Sequence, residues 1–276
     1  MTSPTIRVGG VPEHFNLPFH LAIAEDRFSN VGLSVEWIDF PGGTGAIMAA
    51  LEAGEIDMAT PLTEGAITAI ANGNPSSLVS IWVDSPLLWG VHVAGASTAE
   101  SIDDVQGQRF AVSRFGSGSE LMSRVMAEDY GWDLTDESWV VVGGLDGALT
   151  ALPGGEAEVF LWNMSMTQPH VDDGTFKRVG VFPTPWPSFA IAASNKFVEA
   201  HPGAAETVAE VALSRAGELE LDDVAAAIVA QRYGLEVRGA LEWMTQVEWT
   251  PNGTPLDAVM LDAVTERMRS LGRIPT

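Results

Sequence analysis

Short apolar stretches and helical patterns alternate from the start of the chain. TIRVGG, LSVEWIDF and IDMAT read as strands. Between and after them, helical spacing predicts helices from Leu17 to about Phe28, from Ala46 to Ala53 and from about Thr63 to Ala71. Strand, helix, strand in regular alternation is the pattern of a parallel sheet with crossover helices. The rhythm breaks at SLVSIWVDSPLLWGVHVAG, where two strand-like runs follow one another, and a domain boundary is expected near residue 90.

A second α/β series follows in QRFAVSRFGSGSELMSRVMAEDYG, SWVVVGGLDGALTALPGG, AEVFLWNMSMTQPHV and KRVGVFPTPWPSFAIAAS. The three prolines of PTPWPS suit a rigid return strand. From Asn195 onward the spacing is almost wholly helical, with Pro202 at a helix start, and those helices are expected to pack on the first domain. The expected organisation is a discontinuous lobe 1 of residues 1–90 and 189–276, with lobe 2 of residues 91–188 inserted in it. Two connecting segments, 84–89 and 183–188, would serve as the hinge.

Composition narrows the partners. The chain has 276 residues, 46% of them hydrophobic, which is enough to bury a sizeable core. Its 37 Asp and Glu against 14 Lys and Arg give a formal charge of −23, which opposes nucleic acid and anionic membranes. Lys177 and Lys196 are the only lysines, so a Schiff base has few candidates. With no cysteine there is no disulfide, thiolate metal site or Cys nucleophile. No apolar run is long enough to insert in a membrane. MTSPTIRVGGVPEHF lacks the basic and apolar segments of a signal peptide, so the chain as written reads as cytoplasmic; a trimmed export signal would place it in the periplasm or outside the cell.

In open α/β sheets the ligand-binding loops follow the carboxyl ends of the strands. The first such loop carries Glu13, His14, Phe15 and Asn16, where Asn16 could also cap the helix at Leu17. The second, PGGTGA, places Gly42, Gly43, Thr44 and Gly45 at a helix start, where bare backbone N–H groups can meet an anion. The third carries Pro61, Thr63 and Glu64, of which the first two are also ordinary helix-start residues. In the second series, SRFGSGSEL offers Arg114, Gly116, Ser117, Gly118 and Ser119 as an anion nest, with a Ser cap as the plain alternative. The two glycine loops stand at what reads as matching positions of successive α/β units. Among the tryptophans Trp82, Trp89, Trp162 and Trp186, only Trp162 with Asn163 follows a strand end directly and is singled out for ligand contact.

Other signatures are missing. PGGTGA lacks the Lys-Ser or Lys-Thr of a P-loop, and GSGSEL lacks the third glycine of a dinucleotide turn. There is no H-E-x-x-H and no G-x-S-x-G. His14 and His20, six residues apart across a helix start, make a poor metal pair, and His92, His170 and His201 read as surface or core-edge residues. Neither a metal nor a cofactor is expected.

The motif order resembles a known family. VEWIDFPGGTGAIMAALEAGEIDMATPLTEGAI, SIDDVQGQRFAVSRFGSGSELMSRVMAEDYG, AEVFLWNMSM and KFVEAHPGAAETV are similar in sequence and order to the substrate-binding proteins of ABC importers for aliphatic sulfonates, taurine and nitrate. The same superfamily includes the pyrimidine-precursor synthases of thiamin biosynthesis, and VGGVPEHFNLP resembles an intracellular subgroup. The resemblance implies a two-lobe, type II periplasmic-binding-protein-like α/β fold with two hinge strands, closing on a small ligand between the lobes. The family's ligand loops match Glu13 to Asn16, Gly42 to Gly45, Pro61 to Glu64, Arg114 to Ser119, and Trp162 with Asn163. An ABC permease would be the partner of a transport component. The chain departs from the family in having no export signal or lipid-attachment cysteine, and no cysteine-rich motif of the thiamin-precursor synthases.

Two functional readings result. The first is a binding protein for an anionic or zwitterionic solute, without catalytic residues, acting in transport or as an intracellular carrier or sensor. The second is an enzyme on the same fold acting on a pyrimidine-like metabolite. In it His14 is acid or base, with Glu13 or Glu64 beside it raising its pKa toward neutrality. Binding is favoured, because no second catalytic group is fixed by the sequence.

Overall fold

The computed structural model describes residues 5–275, so the first four residues of the expected lobe 1, and Thr276, lie outside the described residues. The chain divides into two compact units: one runs to Pro86 and resumes at Trp186, and the other is Leu87–Pro185.

The first part of unit 1 contains β1 (Thr5–Gly10), α1 (Leu17–Ala24), α2 (Arg27–Asn30), β2 (Ser34–Asp39), α3 (Gly43–Ala53), β3 (Met58–Thr60), α4 (Thr63–Ala71) and β4 (Ser76–Val83). The single helix expected over Leu17–Phe28 is instead two, because Asp26 adopts φ 58° and turns the chain between α1 and α2. The helix expected from Ala46 begins three residues earlier, so Gly43 and Gly45 of PGGTGA lie in its first turn and Gly42 holds the cap position.

Unit 2 contains β5 (Leu88–Ala94), β6 (Phe110–Val112), α5 (Gly118–Asp129), β7 (Trp139–Val141), α6 (Leu145–Ala151), β8 (Val159–Asn163), α7 (Met164–Asp172) and β9 (Phe176–Pro183). The chain then returns to unit 1 with β10 (Phe189–Ser194), α8 (Asn195–Ala200), α9 (Ala204–Gly217), α10 (Asp223–Tyr233), α11 (Val237–Gln246) and α12 (Ala258–Ser270). PTPWPS is not a strand: β9 ends at Pro183 and β10 begins at Phe189, since prolines cannot donate to a ladder. The C-terminal helices pack within unit 1, α9 against α1 and β4, and α12 against α4.

Both units have one topology. The strand order is β2-β1-β3-β10-β4 in unit 1 and β7-β6-β8-β5-β9 in unit 2. The first three strands of each order are parallel, while β10 and β5 run antiparallel to both neighbours. This equates β6 with β1 and β7 with β2. The loop SRFGSGS after β6 therefore corresponds to VPEHFN after β1, and PGGTGA corresponds to VGGLDG after β7. The two glycine loops singled out in the sequence are not counterparts, because unit 2 opens with the antiparallel strand β5.

A repeated ion pair marks the equivalence. Arg7 donates from its backbone N and its Nε to Asp57 Oδ2 at 2.9 and 3.0 Å, and from Nη2 to Asp57 Oδ1 at 2.8 Å and to the Gly54 carbonyl at 3.0 Å. Arg109 repeats the arrangement with Glu158 and the Gly155 carbonyl. Both clamps sit where the parallel strands begin, leaving the opposite edge of each sheet to the loops. The cores are separate: Ile47, Met48, Leu51, Ile56, Ala59, Ala66 and Ala192 in unit 1, and Ala111, Ala148, Leu152, Ala157, Phe160 and Phe176 in unit 2.

Candidate functional site

The carboxyl ends of β1, β2 and β3 bring three loops of unit 1 to one edge of the sheet. In the first, His14, Phe15 and Asn16 form a single 3₁₀ turn and all three are buried. Asn16 stands at the helix start, but its side chain does not cap it. Its Nδ2 donates to the Val11 carbonyl at 2.8 Å and its Oδ1 accepts from the Thr60 hydroxyl at 2.8 Å, which ties the loop to the end of β3. Phe15 is packed rather than open: its ring lies 4.8 Å from Phe189 and 5.5 Å from Trp243, and its carbonyl accepts from Trp82 Nε1. Glu13 is half-buried.

His14 is sealed from solvent among rings, stacked at 4.7 Å on Phe15 and edge-on at 4.3 Å to Trp243, with Tyr233 at 6.0 Å. Neither ring nitrogen has a hydrogen-bond partner. Burial lowers its pKa to about 3, so the imidazole is neutral at any ordinary pH. This reverses the expectation that a neighbouring carboxylate tunes His14 toward neutrality as an acid or base: desolvation dominates, and no carboxylate bonds to the ring.

The second and third loops are built against each other. Thr44 Oγ1 accepts from the Leu62 N–H at 3.0 Å, and a Cβ on Gly65 would come within 2.4 Å of the Thr44 methyl carbon. Gly43 sits at φ 70°, a conformation that glycine adopts without strain, and Gly42 precedes it at the helix start. Gly45 is exposed on the first turn of α3. Pro61 is buried and its carbonyl accepts from the Ala190 N–H. Thr63 opens α4 but does not cap it, since Leu62 holds the cap position; its hydroxyl is buried and unpartnered.

Glu64 is 1% exposed. Its Oε2 accepts from Trp186 Nε1 at 2.8 Å, while Oε1 is buried without a partner. Burial raises its pKa to about 7, against the weaker opposing pull of hydrogen bonds from its own backbone and from Trp186. The His14 and Glu64 loops meet through Phe189, whose ring faces Phe15 and whose backbone bridges to Leu62.

The corresponding loops of unit 2 are satisfied internally. Ser117 caps α5 by accepting from the Glu120 N–H at 3.3 Å and shares a 3.0 Å hydrogen bond with Ser119, whose Oγ also accepts from the Ser113 N–H. Gly116, at φ 78°, donates its N–H to the carboxylate of Glu120, a buried residue paired with Arg124. The expected anion nest thus already holds an anion from its own helix. Gly118 lies in the first turn of α5, and Arg114 is exposed. Asn163 caps α7 through a 3.0 Å bond from the Ser165 N–H, and Trp162 stacks on Phe160 at 5.1 Å.

Three residues around the unit 1 loops were not singled out in the sequence: Trp186, Tyr233 and Trp243. Trp243 and Tyr233 lie on the C-terminal helices, and no strand-end signal points to them. A Trp between prolines at the return to unit 1 was the one available cue for Trp186. Among the described residues no group of three or more His, Asp or Glu side chains is placed to hold a metal ion, and no helix is long and apolar enough to cross a membrane.

The family model described as Ca3427-like PBP matches residues 89–182. No curated protein matches the chain in sequence. Among solved structures, the Candida albicans CA3427 gene product, which defines a family with the generic periplasmic binding protein fold, is 27% identical with a TM-score of 0.89, covering 99% of this chain and 92% of that one. The alkanesulfonate-binding protein SsuA from Xanthomonas axonopodis pv. citri bound to MOPS is 18% identical with a TM-score of 0.83, covering 100% and 96%. PhnD1 from Prochlorococcus marinus in complex with methylphosphonate is 12% identical with a TM-score of 0.63, covering 98% and 99%. The last two likenesses are of fold alone. With its two mixed five-stranded sheets and their matched topology, the chain has the periplasmic-binding-protein fold.

Proposed function

We propose that the chain is a binding protein for a small anionic or zwitterionic organic solute, held by the strand-end loops, with no chemistry performed on it. One observation carries this reading: at the loop edge of unit 1, His14, Thr63 and Glu64 are sealed from water with polar atoms that bond to nothing in the protein. Each such atom costs about 1–3 kcal/mol, and buried polar groups in proteins are otherwise paired. A ligand that supplies the missing partners accounts for their placement. Small-molecule binding by the structural neighbours supports the same class.

The role is that of a carrier or sensor in the cytoplasm, or of the solute-binding component of an ABC importer; a permease that copurifies with the chain would select the second. Mass spectrometry of small molecules released by denaturing the purified protein tests the binding reading. A stoichiometric solute is expected, and protein that neither carries one nor is stabilised by any solute of a broad panel would contradict it.

A further inference from the structure

The loops of unit 1 differ in sign from an anion site. Across Glu13–Asn16, Gly42–Gly45 and Pro61–Glu64 there is no Lys or Arg, and the acidic side chains there are Glu13 and Glu64. Resting on the binding reading above, we propose that unit 1 recognises the protonated amine of the solute, with Glu64, His14 and Thr63 as the residues that select it. An ammonium group offers three N–H donors and no acceptor. Three acceptor sites are open among the unpartnered atoms of these loops: Glu64 Oε1, the unprotonated nitrogen of the neutral His14, and Thr63 Oγ1.

Trp186 fixes which carboxyl oxygen is offered, because it occupies Oε2 and leaves Oε1. The rings of Phe15 and Trp243 beside His14 add faces on which a cation is favoured over an anion, while the Tyr233 ring already has the Arg232 guanidinium 5.8 Å from its centroid. An anionic head placed at Glu64 would meet its carboxyl, and none of the three loops supplies a Lys or Arg to offset it. The anionic end of a zwitterion therefore belongs elsewhere, and unit 1 holds the amine. Atoms and charge balance simply: the solute enters as the ammonium, and any proton carried by Glu64 leaves to solvent.

Benzylamine and benzenesulfonate, which share a ring and differ in the sign of the head group, test the assignment. Thermal-shift and calorimetric titrations at pH 8 of wild type and Glu64→Gln are compared; Gln keeps an acceptor for Trp186, so the fold is retained. Benzylamine should stabilise wild type, benzenesulfonate should not, and Glu64→Gln should weaken benzylamine at least tenfold, about 1.4 kcal/mol. No response to benzylamine in wild type, or equal affinity in Glu64→Gln, overturns the assignment. A benzenesulfonate response that survives Glu64→Gln overturns it while leaving solute binding itself intact; a released solute without an amine does the same.

Discussion

Each unit buries one histidine completely, and the two differ in what they bond to. His92 of unit 2, in β5, has its Nδ1 3.2 Å from the Phe160 carbonyl and its Nε2 2.9 Å from the Thr167 hydroxyl, with Arg178 Nε at 3.4 Å. The neighbours assign the proton to Nδ1, with Nε2 accepting. His14 of unit 1 is equally buried and bonds to nothing. Burial lowers both to a pKa of about 3. Depth and charge state therefore do not separate a structural histidine from a ligand-facing one; partners do. The same contrast runs through the loops. Unit 2 answers its helix-start N–H groups with Ser117, Glu120 and Asn163, whereas unit 1 leaves Thr63 and Glu64 open.

The largest expected effect is on the pH dependence of the empty protein. Glu64 has a folded pKa of about 7 against an unfolded value of 4.5. The folded state therefore binds more protons than the unfolded state between those values, and stability falls as pH rises through that window. The fall is on the order of 3 kcal/mol. In Glu64→Gln this alkaline loss should vanish, leaving the acid limb set by His14, His92 and His20, whose lowered pKa values withdraw stability as pH drops below 6.5. Urea unfolding from pH 4 to pH 8 checks it; parallel curves for the two proteins would deny Glu64 its buried state.

Next come the histidines themselves. His92→Leu strips partners from Thr167, Arg178 and the Phe160 carbonyl and should destabilise the protein by about 2 kcal/mol. His14→Leu removes unpartnered nitrogens together with the ring packed on Phe15 and Trp243, two opposing contributions of about 1 kcal/mol each, and should leave the empty protein within about 1 kcal/mol of wild type. Equal losses in chemical denaturation would erase the distinction between them.

The smallest effect concerns two of the glycines with positive φ at helix starts. Gly43 and Gly116 are at φ 70° and 78°, and an added Cβ meets no atom within 4 Å at either. Alanine should therefore cost about 1 kcal/mol of backbone strain at each, with native circular dichroism. A much larger loss at either position would reveal crowding that the structure does not contain.

Periodicity made the fold legible in the sequence. Strand-to-helix alternation located β1 to β3 and the whole of α4, and the paired apolar runs marked β4 and β5. What it missed depends on single backbone angles, such as Asp26 dividing α1 from α2, or on proline chemistry, as in PTPWPS. Strand ends give the positions of the loops, but glycine at a helix start does not by itself mark a ligand, as the Gly116 N–H bonded to Glu120 shows. GSGS is answered by Glu120, and a buried side chain four residues on cannot be told from a solvated one in sequence. Conversely, nothing local announces that His14 would be walled by Tyr233 and Trp243 from helices more than 200 residues later.

The most direct test of the account titrates the solute released from the purified protein into wild type, His14→Leu and His92→Leu, each first shown to be folded. If unpartnered buried groups of unit 1 hold the ligand, affinity falls at least about tenfold in His14→Leu and stays within about twofold of wild type in His92→Leu. Undiminished binding in His14→Leu, or a loss confined to His92→Leu, would contradict the account.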